Sequence, residues 1–406
     1  MLRFLTAGES HGQALLATLE GLPAGIPIDT AALMRDLRRR QLGYGRGRRM
    51  QIETDTAEIL SGVRKGVTLG SPVAMLIRNR DWKNWQQTMH VEAELPAGAT
   101  GARRAPVTRP RPGHADLAGA LKYDREDMRD VLERASARET AARVAVGALA
   151  RQFLAALDIH VASHVFTLGP VSIGSPLDIS FEDIAAIDDD APLHCVDAAR
   201  QDAMIAAVDA ARAVGDTLGG AFEVVVRGVP PGLGSYVQWD RKLDGRLAQA
   251  VMSIPAIKAV GIGKGVGVAD VPGSQVHDEI VLPAEGAAPR LLGVSRPTNN
   301  AGGLEGGVTN GEDLRLSGYM KPISTLMRPL RSVDLQTMQE SPAAIERSDV
   351  CAVPAAAVVA EAMIAFVLAD ALLERFGGDT LTDIRDHVAR VHARVQQRFA
   401  GTPARA

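Results

Sequence analysis

Residues 354–376 have the sequence PAAAVVAEAMIAFVLADALLERF and are followed by Gly377 and Gly378. Proline suits the first turn of a helix and paired glycines suit its end, so the stretch predicts one long helix. Its middle is apolar on most sides, which is not typical of a surface helix. Glu361 and Asp370 interrupt it, and a lipid bilayer would penalise both charges. The sequence therefore predicts a helix buried in a protein core.

The strand signals come in groups and do not alternate regularly with helices. Short apolar segments predict strands at 2–6, 50–54, 73–78, 161–168, 221–226 and 279–282. Apolar residues at three- and four-residue spacing predict further helix at 116–157, 197–214 and 246–253. This grouping favours an α+β fold with antiparallel sheets over a doubly wound parallel sheet. We expect one large domain over residues 1–400, with 401–406 as a flexible tail.

Composition excludes several classes of protein. Of the 406 residues 46% are hydrophobic and 23% charged, which is ordinary globular usage. The formal net charge of −3 argues against nucleic-acid binding through net charge, although a local basic site stays open. Two cysteines exclude a disulfide scaffold and a four-cysteine zinc module, and the histidines lack metal-ligand spacing. Polar residues break the first segment before an apolar signal core forms, so we expect a cytoplasmic protein.

Four long segments carry neither helix nor strand signals and are rich in Gly, Arg, Asn and Pro: 38–49, 79–115, 295–320 and 321–350. Loops of this length are unusual in a compact domain unless they build a site. We therefore expect the functional site where these four segments meet.

Seven arginines fall within residues 35–49, the first four on a predicted helix and the last three on a glycine-punctuated loop. Guanidinium groups bind phosphate and carboxylate oxygens at two points. A nucleic-acid patch is the alternative, but Glu53, Asp55 and Glu58 follow the run and no aromatic platform for bases accompanies it. The pattern favours a small polyanionic ligand.

Two histidines occupy positions suited to proton transfer. His11 stands in Gly-Glu-Ser-His-Gly (8–12) after a predicted strand, and a turn with a surface histidine is the alternative interpretation. His114 follows the rigid Arg-Pro-Gly of 111–113, and we expect Asp116 to be the N-cap of the next helix. Further on, Arg134 and Arg138 share a helix face, where neighbouring glutamates are equally suited to pair with them.

The second half of the chain adds candidate phosphate and proton groups. Residues 299–311, NNAGGLEGGVTNG, suit backbone wrapped around a flat or phosphorylated ligand. Lys321 with Ser324 and Thr325 supplies a charge and two hydroxyls, and Asp349 is a candidate proton acceptor. The glycine run at 261–267 lacks the dinucleotide-binding pattern, and the sequence before it is helix-like.

Together these motifs resemble the chorismate synthase family from Phe4 to about Phe376. Eight motifs occur in the family's order: 8–12 GESHG, 43–47 GYGRG, 50–55 MQIETD, 78–85 RNRDWKNW, 111–116 RPGHAD, 137–143 ARETAAR, 299–303 NNAGG and 346–354 ERSDVCAVP. The resemblance implies a β-α-β sandwich with helices packed between antiparallel sheets. It also implies a homotetramer without nucleic-acid or membrane partners.

The resemblance implies a carbon–oxygen lyase of the shikimate pathway that makes chorismate from 5-enolpyruvylshikimate 3-phosphate by 1,4-anti elimination of phosphate, with reduced FMN. By the same resemblance His11 protonates the leaving phosphate, His114 lies at the N1 side of the flavin, and Asp349 assists proton removal near N5. The implied substrate contacts are Ser10, Arg40, Arg46, Arg49, Arg109 and Arg134. The implied flavin contacts are Arg134, Ala135, Ser136, Pro255, Ala256, Gly306, Lys321, Pro322, Ile323, Ser324, Thr325 and Arg347.

NADPH is the candidate reductant, with Arg40 and Arg46 as its candidate contacts, and an external reductant is the alternative. Arg48, Ala135 and Pro255 depart from residues common in the family, which leaves the contacts of the last two with the flavin open. Two other hypotheses remain: a non-catalytic arginine-rich nucleic-acid binder, and a flavin oxidoreductase with net hydride transfer. Salt-dependent nucleic-acid binding without flavin uptake would indicate the first, and stoichiometric NADPH consumption the second.

Overall fold

The computed structural model describes residues 1–47, 54–283, 293–346 and 349–400. Its helices are α1 Thr30–Gln41, α2 Gln86–Met89, α3 Asp116–Tyr123, α4 Arg129–Ala135, α5 Thr140–Ala155, α6 Phe181–Ala185, α7 Ala198–Ala213, α8 Leu243–Met252, α9 Val353–Phe376 and α10 Leu381–Ala400. The first strands are β1 Arg3–Ala7, β2 Ala14–Glu20, β3 Ala57–Ile59, β4 Val63–Arg64, β5 Val67–Thr68 and β6 Val73–Arg78. The later ones are β7 His160–Leu168, β8 Val171–Ser172, β9 Gly220–Arg227, β10 Ile257–Ile262, β11 Leu304–Glu305, β12 Val308–Thr309, β13 Leu314–Met320, β14 Arg331–Asp334 and β15 Gln339–Pro342.

Two antiparallel sheets form the outer layers of the fold. One has the strand order β1-β2-β6-β3 and the other the order β10-β13-β9-β7-β8. Every pairing within them is antiparallel. Three two-stranded ribbons, β4-β5, β11-β12 and β14-β15, lie outside these sheets. The α+β prediction with antiparallel sheets is therefore confirmed.

Helices fill the space between the two sheets. Helix α5 packs on β2 of the first sheet, α9 packs on β7 and β9 of the second, and the two helices pack against each other. They approach so closely at Gly147 that a Cβ there would lie 2.2 Å from the Cβ of Ala362. A single hydrophobic core includes residues from both sheets and from these helices. This is the predicted sandwich.

Helix α9 begins one residue before its predicted start and ends at the predicted residue. Among the described helices it alone is long and apolar enough to cross a membrane, but most of it is buried inside the protein. Its burial between α5 and the second sheet explains why its sequence is apolar on most sides.

The three successive arginines near the end of α1 lie in three different environments. The helix begins after Asp29, whose side chain accepts a hydrogen bond from the backbone N of Ala31 (2.8 Å). Arg38 is exposed and pairs with Asp190, whereas Arg39 enters the core. Arg40 lines the cavity described below. Three successive arginines thus have three separate roles.

Several local predictions were wrong, and the segments 295–320 and 321–350, which carry no strand signal, contain β11–β13 and β14–β15. The predicted 116–157 helix is three helices, because Asp124 has left-handed backbone (φ 52°) and Ser136 is extended and caps the following turn. Residues 279–282 form no strand, and only Val281 makes an isolated bridge. The helix-like sequence before the 261–267 glycine run is strand β10, which pairs with β13. Residues 50–53 of another predicted strand, and the predicted tail 401–406, lie outside the described residues.

Candidate active site

A cavity of about 690 Å³ opens where α1 ends and where α5 and α9 begin. Its volume falls in the usual range of small-molecule sites, roughly 300–1,000 Å³. Three of the four predicted loop segments contribute to its wall, whereas 295–320 contributes only Met320. The predicted site residues that line it are Ser10, His11, Arg40, Arg46, His114, Ala135, Ser136, Pro255, Ala256, Lys321, Ile323, Ser324, Thr325 and Asp349.

Other predicted site residues lie away from this wall. Arg109 and Gly306 are exposed, and Pro322 does not line the cavity. Arg134 instead donates hydrogen bonds to the carbonyls of Thr6 (3.0 Å) and Gly8 (3.2 Å), which ties α4 to β1. Arg49 and Arg347, and the divergent Arg48, lie outside the described residues.

His11 is fixed at the cavity wall by α4 and by the segment after β6. Its Nδ1 lies 2.9 Å from Oε1 of Glu133, and its backbone N donates to Oε2 of the same carboxylate (2.8 Å). Its ring stacks on Trp85 with centroids 3.6 Å apart. The guanidinium of Arg104 lies 3.9 Å from the Trp85 centroid. Burial alone would raise the pKa of the Glu133 carboxyl, but the hydrogen bonds and charge of His11 and the charge of Arg129 lower it.

His114 is fixed in a similar way by a second carboxylate. Its Nδ1 lies 2.5 Å from Oδ1 of Asp116, and Nε of Arg111 donates to Oδ2 of that residue (2.8 Å). Burial would raise the pKa of the Asp116 carboxyl, but hydrogen bonds from His114 and Arg111 hold it below its usual range. The N-cap prediction for Asp116 was wrong: Asp116 is the first residue of α3, and its side chain points back to the loop before it. Arg111 also reaches the hydroxyl of Thr325 (3.1 Å).

Arg40 and Arg138 flank one buried carboxylate. Arg40 donates to Oδ2 of Asp55 (2.6 Å), and Arg138 donates to its Oδ1. All three side chains are almost fully buried. Burial lowers the pKa of the Arg40 guanidinium, and the charges of Arg138 and Arg46 add to this effect, while Asp55 opposes it. Two buried cations around one anion make this wall attractive to an anionic ligand.

Asp349 closes the loop that carries Arg46. It accepts a hydrogen bond from the backbone N of Gly47 (2.6 Å), and its other oxygen lies 3.4 Å from Arg46. Gly45 has a φ of +87°, and a Cβ there would lie 3.3 Å from the Cβ of Cys351. The glycine therefore lets the loop pack against the start of α9.

The part of the wall around Lys321 combines small and apolar surfaces with polar groups. Ala256 has left-handed backbone (φ 70°), and its carbonyl accepts a hydrogen bond from the N of Lys321 (3.0 Å). The Lys321 ammonium donates to the carbonyl of Gly113 (2.6 Å), and burial followed by the charge of Lys258 lowers its pKa. The larger aliphatic side chains on the wall are those of Leu132, Ile254, Ile323, Ile345 and Val359, together with the side chain of Met320. An apolar wall beside cations and hydroxyls fits a planar ring that carries a phosphate.

Sequence reasoning missed several residues that shape this cavity. Trp85 lay in a recognised motif but received no role, and Glu133 was weighed only as an ion-pair partner of an arginine. Asp55 was used as an argument against nucleic acid. One signal was available: buried arginines require carboxylate partners, so the acids near the arginine run were candidate members of the same site.

Comparisons with known proteins identify the family of this chain. Residues 2–373 match the family model "Chorismate synthase". The chain is 57% identical to the chorismate synthase of Moorella thermoacetica over 397 residues, which is 98% of this chain and 100% of that one. It is 56% identical to the chorismate synthase of Solibacter usitatus, covering 95% of this chain and 97% of that one. A crystal structure of chorismate synthase, 41% identical, has a TM-score of 0.76 and 98% coverage of both chains. The chain therefore belongs to the chorismate synthase family.

Proposed function

We propose that this protein eliminates phosphate from 5-enolpyruvylshikimate 3-phosphate in the 690 Å³ cavity, with His11 and His114 as its proton carriers. The family's activity is that of a carbon–oxygen lyase of the shikimate pathway, which supplies chorismate for aromatic amino acid biosynthesis. The observation that carries the assignment of the site is that two histidines, each bound to a buried carboxylate, and a set of arginines line one cavity.

The cavity wall fits the reduced FMN that the family uses. The backbone and small side chains of Ala135, Ser136, Pro255 and Ala256 would contact the ring, and the Lys321–Thr325 segment would bind its polar groups. When bound, reduced FMN supplies electron density to the breaking C–O bond without a net redox change. Such a cofactor requires an apolar surface for its ring and hydrogen-bond donors for its phosphate, and this wall has apolar side chains next to an ammonium and hydroxyls.

The charge of the wall suits a substrate with two carboxylates and a phosphate. Among the described residues, the lining cations are Arg40, Arg46, Arg104, Arg111, Arg138 and Lys321, and the lining carboxylates are Asp81, Glu346 and Asp349. Guanidinium forks bind such anions at two points. We assign substrate binding to Ser10, Arg40 and Arg46. The predicted roles of Arg49, Arg109 and Arg134, and of Gly306, Pro322 and Arg347 at the cofactor, stay predictions.

In this proposal His11 donates a proton to the leaving phosphate oxygen, because phosphate leaves more readily once protonated. His114 holds a proton at another point of the wall, where Asp116 and Arg111 orient its ring. Asp349, oriented by Gly47 and Arg46, assists removal of the substrate's C6 proton.

The finer features of the family extend to this chain as part of the same proposal: a cytoplasmic homotetramer, with NADPH as a reductant that Arg40 and Arg46 contact. The exposed apolar side chains of Tyr236, Val237 and Trp239 support self-association. Size-exclusion chromatography with light scattering distinguishes a tetramer from a monomer.

The test is anaerobic incubation of the purified protein with dithionite-reduced FMN and substrate, with phosphate and chorismate measured together. Equal amounts of both products are expected. His11→Ala and His114→Ala should each lower turnover by roughly 10²–10⁴ with the fold intact, whereas the exposed His160→Ala should retain normal turnover. Near-normal turnover in either cavity variant would remove that histidine from the mechanism, and NADPH consumed in proportion to product would indicate an oxidoreductase instead.

A further inference from the structure

The contacts of His11 fix both the orientation of its imidazole ring and the ring nitrogen that binds a carboxylate. Glu133 binds both the backbone N and the ring Nδ1 of His11, with distances of 2.8 and 2.9 Å. Trp85 covers the ring, and its own Nε1 donates to Asp81 (2.9 Å), which fixes the indole. The ring nitrogen that Glu133 does not bind is Nε2.

The surroundings of Glu133 require it to accept hydrogen bonds and not to donate them. Its side chain is 1% exposed. The groups that face it are the backbone N–H of His11, Nδ1 of His11, and the guanidinium of Arg129 at 3.3 Å. Two of these are obligate donors, and the low pKa of the carboxyl keeps it ionised. An ionised carboxylate beside Nδ1 favours a proton on that nitrogen.

We propose that Glu133 is a positioning residue that holds His11 as the Nδ1–H tautomer against Trp85, so that Nε2 alone exchanges a proton with the substrate. The inference rests on the proposed function of His11. Its structural part, the tautomer, does not depend on turnover. Besides Glu133, the charged groups near this assembly include Arg129 on α4, Glu346 at 3.8 Å from Arg129, and Asp81 and Arg104 around the indole.

Glu133→Gln tests the proposal because an amide cannot accept from all three groups. If its oxygen faces the backbone N of His11, its NH₂ faces Nδ1 and Arg129, and if it is turned over, the NH₂ faces the backbone N–H. The first arrangement is relieved when Nδ1 loses its proton and the ring becomes the Nε2–H tautomer. A wrong tautomer in an otherwise intact site costs large factors in turnover.

The experiment is ¹⁵N NMR of the protein with ring-labelled histidine from pH 5 to 10, with the His11 signals assigned by their loss in His11→Gln. In the wild type the neutral His11 ring is expected to carry its proton on Nδ1. In Glu133→Gln the proton is expected on Nε2. Glu139→Gln is the matched control: its hydrogen bonds are with Thr6 and Arg143, so the His11 tautomer should stay as in the wild type.

A wild-type ring protonated on Nε2 would overturn the proposal even if Glu133→Gln failed to fold, and so would an unchanged tautomer in a folded variant. In kinetics, Glu133→Gln should lower kcat about 10²–10⁴-fold with little change in KM and an altered pH profile. If the tautomers are as expected but the wild type makes no chorismate, the proposed function fails and the positioning by Glu133 stands.

Discussion

Glu361 lies in the middle of the buried helix α9, away from the cavity, with no solvent exposure. Arg39 binds it through two nitrogens at 2.7 and 2.8 Å, and Arg151 lies 2.9 Å away. The hydroxyl of Ser163 donates a further hydrogen bond (2.6 Å). These contacts join α1, α5 and β7 to α9. Glu361→Gln removes the charge at their centre while it keeps the side-chain volume.

The size of the effect follows from the pKa of this carboxyl. Burial would raise it, but the charges of Arg39 and Arg151 and the hydrogen bonds from Arg39 and Ser163 lower it from 4.5 to about 2. A lowering of that size corresponds to roughly 3 kcal/mol of stability. Because the pKa of the folded state is depressed, the stabilisation is complete above pH 4.5 and disappears as the pH falls towards 2. Breaking a buried ion pair by removing one partner costs about 3–5 kcal/mol, which agrees.

The assay is urea unfolding of the wild type and Glu361→Gln, followed by circular dichroism at several pH values from 7 down to 3. The free energy of unfolding of the variant should be lower by about 3 kcal/mol at pH 7, and the difference should shrink below pH 4.5. Glu374→Gln on the same helix is the control, since its partly exposed ion pairs with Arg241 and Arg246 are worth about 1 kcal/mol or less. A loss below about 1 kcal/mol in Glu361→Gln, or a loss that does not vary with pH, would show that the ionised carboxylate does not stabilise the fold in this way.

Two further predictions concern the cavity wall and the packing of the helices. Asp55→Asn removes the carboxylate between two buried guanidinium groups and should lower the free energy of unfolding by about 3–5 kcal/mol. Inorganic phosphate should raise the Tm of this variant more than that of the wild type. Equal increases in Tm would count against an anion site there. Gly147→Ala places a methyl group against Ala362 and should lower the free energy of unfolding by about 1–3 kcal/mol, which thermal unfolding measures. An unchanged Tm would show that α5 and α9 can move apart without a cost in stability.

The fold could be predicted from the sequence where local signals and burial agree. The proline and paired glycines around α9 mark its ends by backbone chemistry alone. The 116–157 prediction failed because apolar periodicity continues across two breaks that the left-handed Asp124 and the extended Ser136 introduce. Strand β10 was missed because its six residues, IKAVGI, do not alternate clearly between apolar and polar, and because its pairing with β13 is long-range.

The candidate site shows a similar division. The histidines and the lysine–hydroxyl segment could be recognised from motifs, and they line one cavity. The separate partners of Arg38, Arg39 and Arg40 could not be predicted from the sequence. Successive side chains of a helix point to different faces, and the carboxylates that pair with these arginines come from other parts of the chain. The roles of Glu133 and Trp85 depend on the same long-range packing.

The flavin-dependent elimination is tested most directly by the ratio of phosphate released to reduced FMN supplied under anaerobic conditions, with substrate in excess. Because the reaction consumes no electrons overall, each reduced flavin should support many turnovers, with one phosphate and one chorismate per substrate, and oxidised FMN should support none. One phosphate or fewer per reduced flavin, or equal release with oxidised FMN, would contradict the assignment of this cavity to a flavin-dependent elimination.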